Sequence, residues 1–400
     1  MNAPHSPSLL SQVPMAPGDP ILGVTEAYVA DSNPKKVNLG VGVYYDDNGR
    51  VPLLECVRRA EAERAKSGSP WSYLPIDGLA AYDQGVQRLL FGDVTKNMLT
   101  VQALGGTGGL KIGADFLRQL SPRATIWISD PSWENHRQLF EAAGFPVKSY
   151  TYYDARTRGL DFAGMKRSLE ALPAGDVVVL HACCHNPTGV DLTREQWPEV
   201  LRIVQARGLV PFLDLAYQGF AEGIDADAYA ARLFAESMSP VFLSSSFSKS
   251  VSLYGERVGA FSLVAASEEE AKRALSQLKR VVRTNYSNPP SHGGQIVANV
   301  LNTPELRALW EKELGGMRER IKAMRAALAD NIQRRVPGAD FSFVLKQRGL
   351  FSYSGLTREQ VLRLRSDFSI YAIESGRICV AALNSRNIDY VADAIAQVIR

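Results

Sequence analysis

The sequence predicts an α/β protein: a large unit with a mostly parallel central sheet covered by helices, joined to a smaller α/β unit. Three observations carry that prediction. Between about residues 100 and 265, short unbroken apolar runs alternate with segments whose apolar residues recur three and four apart. Strands buried on both faces read as continuous apolar runs, and helices supply the crossovers that parallel strands need. After this block one long helical pattern runs from residue 304 to about 335, with Leu306, Trp310, Leu314, Met317, Ile321, Met324, Leu328 and Ile332 on one stripe. Finally, 400 residues are enough for two domains, or for one large domain with a smaller appendage.

Taken in order, residues 1–18 are rich in Pro, Ser and Ala and lack periodicity, so they are expected to form an irregular arm, either disordered or lying across a partner subunit. The strand candidates are Thr125-Ile126-Trp127-Ile128, Val177-Val178-Val179-Leu180, Leu209-Val210-Pro211-Phe212-Leu213, Val241-Phe242-Leu243 and Ala260-Phe261-Ser262-Leu263-Val264. Helical patterns over 133–143 and 193–207 begin with capping residues. Gly315-Gly316 predicts a bend in the long helix. An apolar run over 341–345, a helix over 357–368, short strands around Tyr371 and Ile378 and a closing helix from Asn387 form the smaller unit, with the long helix as its connection. No internal repeat is evident.

Composition narrows the function classes. With 46% apolar and 22% charged residues the chain has the make-up of an ordinary globular protein. Its 45 basic and 42 acidic residues leave a net charge of +3 and no basic run, which argues against nucleic acid or an anionic membrane as partner. Nothing approaches the roughly 18 apolar residues of a membrane span, and no charged start followed by an apolar stretch opens the sequence; a cytoplasmic protein is expected. Cys56, Cys183, Cys184 and Cys379 fit reduced thiols better than a disulfide framework.

Ligands of such sheets collect at the carboxyl ends of the strands, and three runs lead at once into unusual polar sequence. The first is Ser246-Phe247-Ser248-Lys249-Ser250, with Arg257 eight residues further on. One amine, two hydroxyls and one guanidinium suit an aldehyde cofactor that carries a phosphate: the lysine can form a Schiff base while hydroxyls and arginine hold the dianion. Taken alone, Ser-x-x-Lys is a chance pattern and most lysines are solvated. The second is Asp214 with Tyr217. Singly they read as a strand-end carboxylate and a core phenol; as a pair they are candidates to grip a heteroaromatic ring, the carboxylate on a pyridinium nitrogen and the phenol on a ring oxygen.

The third is His181-Ala182-Cys183-Cys184-His185-Asn186-Pro187-Thr188-Gly189. Its histidines do not share a helical face, so buried thiols and satisfied histidines are expected here and no metal. Asn186-Pro187 is a candidate cis bond that aims Asn186 into the site. Elsewhere, Gly105-Gly106-Thr107-Gly108-Gly109 precedes a helical pattern over 110–120, where free amides can bind phosphate, although a plain turn is an equal reading. The dinucleotide fingerprint is not met, since its spacing is wrong and no strand is evident before it, and a P-loop lacks its Gly-Lys-Ser/Thr. Arg377 and Arg283 are candidates for carboxylate recognition, each a surface charge if considered singly.

Together these segments resemble the class I pyridoxal-phosphate aminotransferases, in the subgroup of aspartate and aromatic amino acid aminotransferases. The likeness runs from Asp19-Pro20-Ile21-Leu22 to the last helix. Its most specific stretches are Asn38-Leu39-Gly40-Val41-Gly42-Val43-Tyr44, Tyr73-Leu74-Pro75-Ile76-Asp77-Gly78, Pro131-Ser132-Trp133-Glu134-Asn135-His136, His185-Asn186-Pro187-Thr188-Gly189, Asp214-Leu215-Ala216-Tyr217-Gln218-Gly219-Phe220 and the Lys249 segment. The resemblance implies the type I fold of pyridoxal-phosphate enzymes, as a homodimer with active sites at the subunit interface. It also implies a division into an arm (1–18), a small domain (19–50 and 317–400) and a large cofactor domain (51–316).

Lys249 would carry pyridoxal 5'-phosphate as a Schiff base and move a proton between the substrate α-carbon and the cofactor, and Asp214 would keep the ring nitrogen protonated. Tyr217 and Asn186 would bond the ring oxygen, with Trp133 stacked on the ring. Ser246, Ser248, Arg257 and the Gly105, Gly106 and Thr107 amides would hold the phosphate, joined by Tyr73 of the other subunit. The substrate α-carboxylate would meet Arg377 beside Gly42, and a second carboxylate would meet Arg283 of the other subunit. The substrates implied are amino acids and 2-oxo acids in a ping-pong cycle.

Side-chain preference divides the residues. Tyr45, Val51, Leu74-Pro75, the 248–257 segment and Gly349-Leu350-Phe351-Ser352-Tyr353 resemble the aromatic type, because a ring is best met by apolar groups. Val43, Thr107 and Asn288 resemble the aspartate type, and Ser72 matches neither. An enzyme handling Tyr and Phe as well as Asp and Glu, with 2-oxoglutarate as acceptor, is expected, and an aspartate aminotransferase is the alternative. A serine acyl-transfer enzyme built on Ser246 and Lys249 would lack Lys-Thr-Gly and leave Asp214 and Tyr217 unexplained. A binding protein that kept the fold would have little need of the lysine.

Overall fold

A computed structural model describes residues 8–16, 22–68, 70, 72–92 and 97–400. Its centre is one sheet of seven strands, here β1 (Met98–Leu104), β2 (Ile126–Asp130), β3 (Val147–Thr151), β4 (Val177–His181), β5 (Val210–Leu215), β6 (Val241–Ser246) and β7 (Val258–Val264). They lie in the order β1-β7-β6-β5-β4-β2-β3. Every pairing from β6 to β3 is parallel, and β7 alone runs antiparallel to both of its neighbours.

Alternation along each strand divides the core in two. Val177 and Val179 join one apolar cluster with helices Gly105–Leu120, Glu134–Ala142 and Glu268–Asn285. Val178 and Leu180 join the other, with helices Phe162–Glu170, Gln196–Arg207 and Tyr229–Ser237. A strand's side chains alternate between faces, so a run of four apolar residues serves two cores.

The sequence missed two of the seven strands for physical reasons. β1 is interrupted by Thr100 and Gln102, which are buried but satisfied: Thr100 shares a 2.8 Å hydrogen bond with Ser262, and Gln102 Nε2 donates to the Pro290 carbonyl at 2.8 Å. β3 is an edge strand whose Lys148 and Ser149 face solvent, the polar character that an edge favours. Gly315-Gly316 does not interrupt the helix. One helix continues from Pro304 to Arg335, and its buried stripe of Trp310, Leu314, Met317 and Ile321 outweighs the roughly 1 kcal/mol that each glycine costs.

The same helix ties the two parts of the chain together: Glu313 accepts the N–H groups of Glu55 and Cys56 (2.7 and 3.0 Å), capping helix Glu55–Ser67 from outside. The run over 341–345 forms a 3₁₀ helix, Ser342–Lys346.

Among the described residues three two-stranded sheets stand outside the large one, one of them the short antiparallel pair Tyr153–Asp154 with Gly159–Leu160. Val37–Asn38 pairs parallel with Ile370–Tyr371, and Phe351–Tyr353, unforeseen in the sequence, pairs antiparallel with Arg377–Cys379. Residues 1–7 and 17–18 of the expected arm, and Asp19, Pro20 and Ile21 where the resemblance begins, lie outside the described residues. Within the arm, Leu9–Gln12 makes a single 3₁₀ turn. All four cysteines are unpaired and buried. Among the described residues no helix is long and apolar enough to cross a membrane.

Candidate active site

The carboxyl ends of β1, β4, β5 and β6 open onto a cavity of about 410 Å³ whose lining includes Gly106, Thr107, Trp133, Asn186, Asp214, Tyr217, Ser246, Ser248, Lys249, Arg257, Arg377 and Gly42. The resemblance had set these residues in one site, and the fold brings them together from seven segments of the chain.

At one end, β1 leads directly into Gly105, contrary to the expectation that no strand precedes the glycines. Gly105 has φ +68°, and its N–H donates to the Arg257 carbonyl (2.9 Å). A Cβ here would lie 2.5 Å from Arg257 Nη2, so only glycine lets the arginine close on the helix start. Arg257 Nη1 donates to Ser248 Oγ (3.2 Å) and to the Tyr254 carbonyl (2.9 Å). Ser244 Oγ donates to the Gly106 carbonyl (2.9 Å), fixing the first turn of helix Gly105–Leu120 while its leading amides remain free of helical partners. Ser246, Ser248, Arg257 and the Gly106 and Thr107 amides form the donor set that a phosphate dianion takes, whereas the Gly105 amide expected among them is already given to the Arg257 carbonyl.

Lys249 is partly buried on the turn after β6, with Nζ 4.9 Å from the centre of the Tyr217 ring. Burial pulls its ammonium down to about 8; the Asp214 carboxylate opposes this and the Arg257 charge adds to it. The amine is therefore available as a nucleophile close to neutrality.

Asp214, 5% exposed, bonds His136 Nε2 at 3.0 Å, and His136 Nδ1 in turn meets Ser132 Oγ at 2.9 Å. Burial works to raise the Asp214 carboxyl, but the hydrogen bond from His136 prevails, helped by the nearby Lys249 amine, and leaves it below its ordinary value. A buried carboxylate kept ionised in this way is suited to a cationic ring nitrogen.

His136 belongs to the quoted Pro131 to His136 stretch, yet its contact with Asp214 was not foreseen. The available signal was its place three residues after Trp133, one helical turn along. Of the histidines expected to be satisfied, His185 is: Thr188 Oγ1 and Ser129 Oγ take its two nitrogens, and its ring stacks on Tyr152 with centres 4.0 Å apart. His181 departs from the expectation, since neither ring nitrogen has a partner among the described residues. Burial holds its pKa down to about 3, with His136 adding to the effect. A neutral ring can stay unpaired there, as a cation could not.

At the other end, Arg377 is 1% exposed. Its Nη1 donates to Asn186 Oδ1 (3.2 Å) and its Nη2 to the Gly40 carbonyl (2.7 Å), while Phe351 lies under the guanidinium at 4.3 Å. Among the described residues neither Arg377 Nε nor Glu134 Oε2 has a hydrogen-bond partner, although Glu134 Oε2 forms an ion pair with Nη1 at 3.8 Å. An arginine with donors to spare at the wall of a cavity fits a bidentate carboxylate. A Cβ on Gly42 would lie 2.6 Å from the Phe351 ring, so the backbone there must pass close. Burial pushes the Tyr217 phenol well above its ordinary range, Arg377 opposing, so it stays a hydrogen-bond donor at neutral pH. The Asn186-Pro187 bond is cis, as anticipated. Trp133 is the partly buried residue that opens helix Glu134–Ala142, its ring edge-on to His136 at 5.3 Å.

Three candidates, Gly105, Tyr73 and Arg283, are not in the lining of this cavity. Tyr73 is 92% exposed, and the exposed Arg283 donates through Nη1 to Ser287 Oγ. Conversely, Phe351 and Tyr254, quoted only as parts of motifs, line the cavity, and Tyr254 accepts the Tyr44 N–H (2.8 Å).

Comparison with known proteins agrees with this geometry. The family pattern described as "Aminotransferase class I and II" matches residues 34–395. The aspartate aminotransferase of Pseudomonas aeruginosa is 60% identical over 98% of this chain and its own full length, and the tyrosine aminotransferase of Klebsiella pneumoniae is 49% identical over 96% and 98%. Among solved structures, the aromatic-amino-acid aminotransferase of Burkholderia pseudomallei, covalently bound to pyridoxal phosphate, superposes with a TM-score of 0.96 at 62% identity, covering 98% of this chain and all of that one. The residues at the carboxyl ends of the strands thus have the make-up that this cofactor requires, and the chain belongs to the class I and II aminotransferases as a pyridoxal-phosphate-dependent transaminase.

Proposed function

We propose that the chain transfers the amino group of tyrosine and phenylalanine, and of aspartate and glutamate, to 2-oxoglutarate. The observation that carries this reading is a cavity with an available amine, Lys249, at one end, a carboxylate receptor, Arg377, at the other, and Trp133, Tyr254 and Phe351 between. A ring entering that space meets apolar faces and leaves no polar atom stranded.

When bound, pyridoxal phosphate supplies an aldehyde and an electron-accepting ring. Lys249 is its point of attachment and, once freed, the base that moves a proton from the substrate α-carbon. Asp214, held ionised by His136, keeps the ring nitrogen charged. Tyr217 and Asn186 would bond the ring oxygen, Trp133 would lie against the ring, and Ser246, Ser248, Arg257 with the Gly106 and Thr107 amides would hold the phosphate. Arg377 orients the α-carboxylate beside Gly42.

Tyr73 and Arg283 are proposed to act in a homodimer, each reaching the cavity of a second copy. Their exposure in the single chain supports this, as does the exposed apolar series Leu9, Leu10, Val13 and Met15 of the arm. A large cofactor domain over 51–316 and a small domain of 19–50 with 317–400 accord with the pairing of Val37–Asn38 on Ile370–Tyr371. Unpaired cysteines accord with a cytoplasmic location.

A plain aspartate aminotransferase is the second reading, favoured by Val43, Thr107 and Asn288. The two separate in a half-reaction. Tyrosine and aspartate are added singly to the holoenzyme without any 2-oxo acid, and the fall of its visible absorbance is timed. Comparable rates are expected; tyrosine slower by orders of magnitude would leave the aspartate reading.

A further inference from the structure

Arg325 lies behind the Arg377 end of the cavity, 3% exposed, on the buried stripe of helix Pro304–Arg335. Its Nη2 donates to the carbonyls of Gly349 (2.8 Å) and Phe351 (2.6 Å), and its Nη1 to Ser352 Oγ and, at 3.4 Å, to the Val344 carbonyl. Among the described residues no carboxylate stands within ion-pair distance of it. Burial lowers its pKa to about 10. Burying a guanidinium against neutral acceptors costs more than an apolar residue of the same volume would, so stability of the core does not account for it.

What it clasps is a single segment, residues 344–352. On its other side this segment is wedged against the turn that carries Asn186: the Arg348 N–H donates to the Gly189 carbonyl (2.6 Å), a Cβ on Gly189 would stand 2.7 Å from the Phe351 carbonyl, and one on Gly349 would stand 2.5 Å from Cys184 Cβ. The Phe351 ring then touches three groups of the site. It bars a Cβ at Gly42, meets the Tyr217 ring edge-on at 6.0 Å, and lies 4.3 Å beneath Arg377. Close-packed groups of this kind pass a displacement on instead of absorbing it.

We propose that Arg325 is a positioning residue for carboxylate binding: by fixing the Gly349 and Phe351 carbonyls it sets the Phe351 ring, and through that ring the orientation of the Arg377 guanidinium. This rests on the reading of Arg377 as the receptor of the substrate carboxylate. A lysine would keep the charge but not the planar fork that spans two carbonyls and a hydroxyl.

The test uses Arg325→Met and Arg325→Lys holoenzymes, with succinate and 3-phenylpropionate as non-reacting probes whose Kd is measured by calorimetry. For Arg325→Met the Kd is expected to rise about tenfold, with the KM of the amino donors rising in parallel, kcat within about threefold, and the pH titration of the cofactor's visible band unmoved. Arg325→Lys falls between it and the parent. Added to Phe351→Leu, Arg325→Met should weaken binding by less than about twofold more, because both act on one ring.

A folded Arg325→Met with parent-like Kd, or full multiplication of the two effects, overturns the proposal. If Arg325→Met does not fold, Arg325→Lys decides: a several-fold weaker Kd supports the tie and a parent-like one overturns it. Arg377→Leu serves as control. If it binds both probes as the parent does, the placing of the carboxylate is wrong, and the proposal falls with it.

Discussion

The Lys249 end of the cavity stands on the carboxyl ends of a seven-stranded sheet, whereas the Arg377 end hangs on two sheets of two strands each. At the first end the backbone itself places the groups: Asp214 is the last residue but one of β5, Ser246 ends β6, and Gly105 follows β1, with neighbours locked in register. At the second end, side-chain packing does the placing, since a two-stranded sheet is marginal on its own in water. The charged groups differ in a similar way: among the described residues Arg377 Nε and Glu134 Oε2 have no hydrogen-bond partner, whereas Asp214 is bonded to His136, and the unpartnered nitrogens at its end are those of the neutral His181. One end is thus prearranged, and the other is completed by what enters it.

Substitutions can break that comparison or sharpen it. The largest effect is expected from Lys249→Ala, with turnover down about 10⁴-fold or more while the cofactor is still held noncovalently by the unaltered phosphate donors. Turnover near the parent's would contradict the assignment of Lys249. Asp214→Ala should cost on the order of 10³-fold in kcat, by loss of a preorganised charge and the stranding of His136; a rate within a few-fold of the parent would remove that role.

At the packed end, Arg377→Leu should reduce kcat/KM by roughly 30- to 1000-fold, mostly through KM, because a charged partner is lost from a buried pair. A fall confined to kcat would mean that the two ends are not separable.

The smallest effect concerns stability without cofactor. Lys249 has its folded pKa lowered to about 8, against 10.5 for an ordinary lysine. Below pH 8 both folded and unfolded chains carry the proton, and the fold bears the full cost of the buried charge. From pH 8 to 10.5 the unfolded chain binds more protons, so stability rises with pH. Apo Lys249→Met should therefore be the more stable below pH 8, by on the order of 2–3 kcal/mol, with the gap closing by pH 10.5. A gap that does not vary with pH, in denaturant melts of both proteins, would show that the amine is not desolvated.

The two ends also differ in how far the sequence discloses them. Lys249, Ser246, Ser248 and Arg257 fall within twelve residues, and Asp214 and Tyr217 within four, so their chemistry is legible locally once a strand is recognised before each. Arg377 and Gly42 become neighbours only through strand pairings across most of the chain, and local pattern says nothing of that; the family likeness alone united them. β1 and β3 escaped notice because a strand can bury Thr100 and Gln102 when each finds a hydrogen-bond partner, and because an edge favours polar residues. Arg325 lay unremarked on a helical stripe that otherwise reads as purely apolar.

The pairing of Val37 with Ile370 has a consequence for the order in which the protein can be made. Domains form as units while the chain is being synthesised, and the strands that end in Asp214 and Ser246 are complete once β7 has emerged. The segment around Asn38 is made long before Ile370–Tyr371 and must wait for it to find its neighbour. A chain interrupted between these two moments would have a place for a cofactor and nothing to hold a substrate against it.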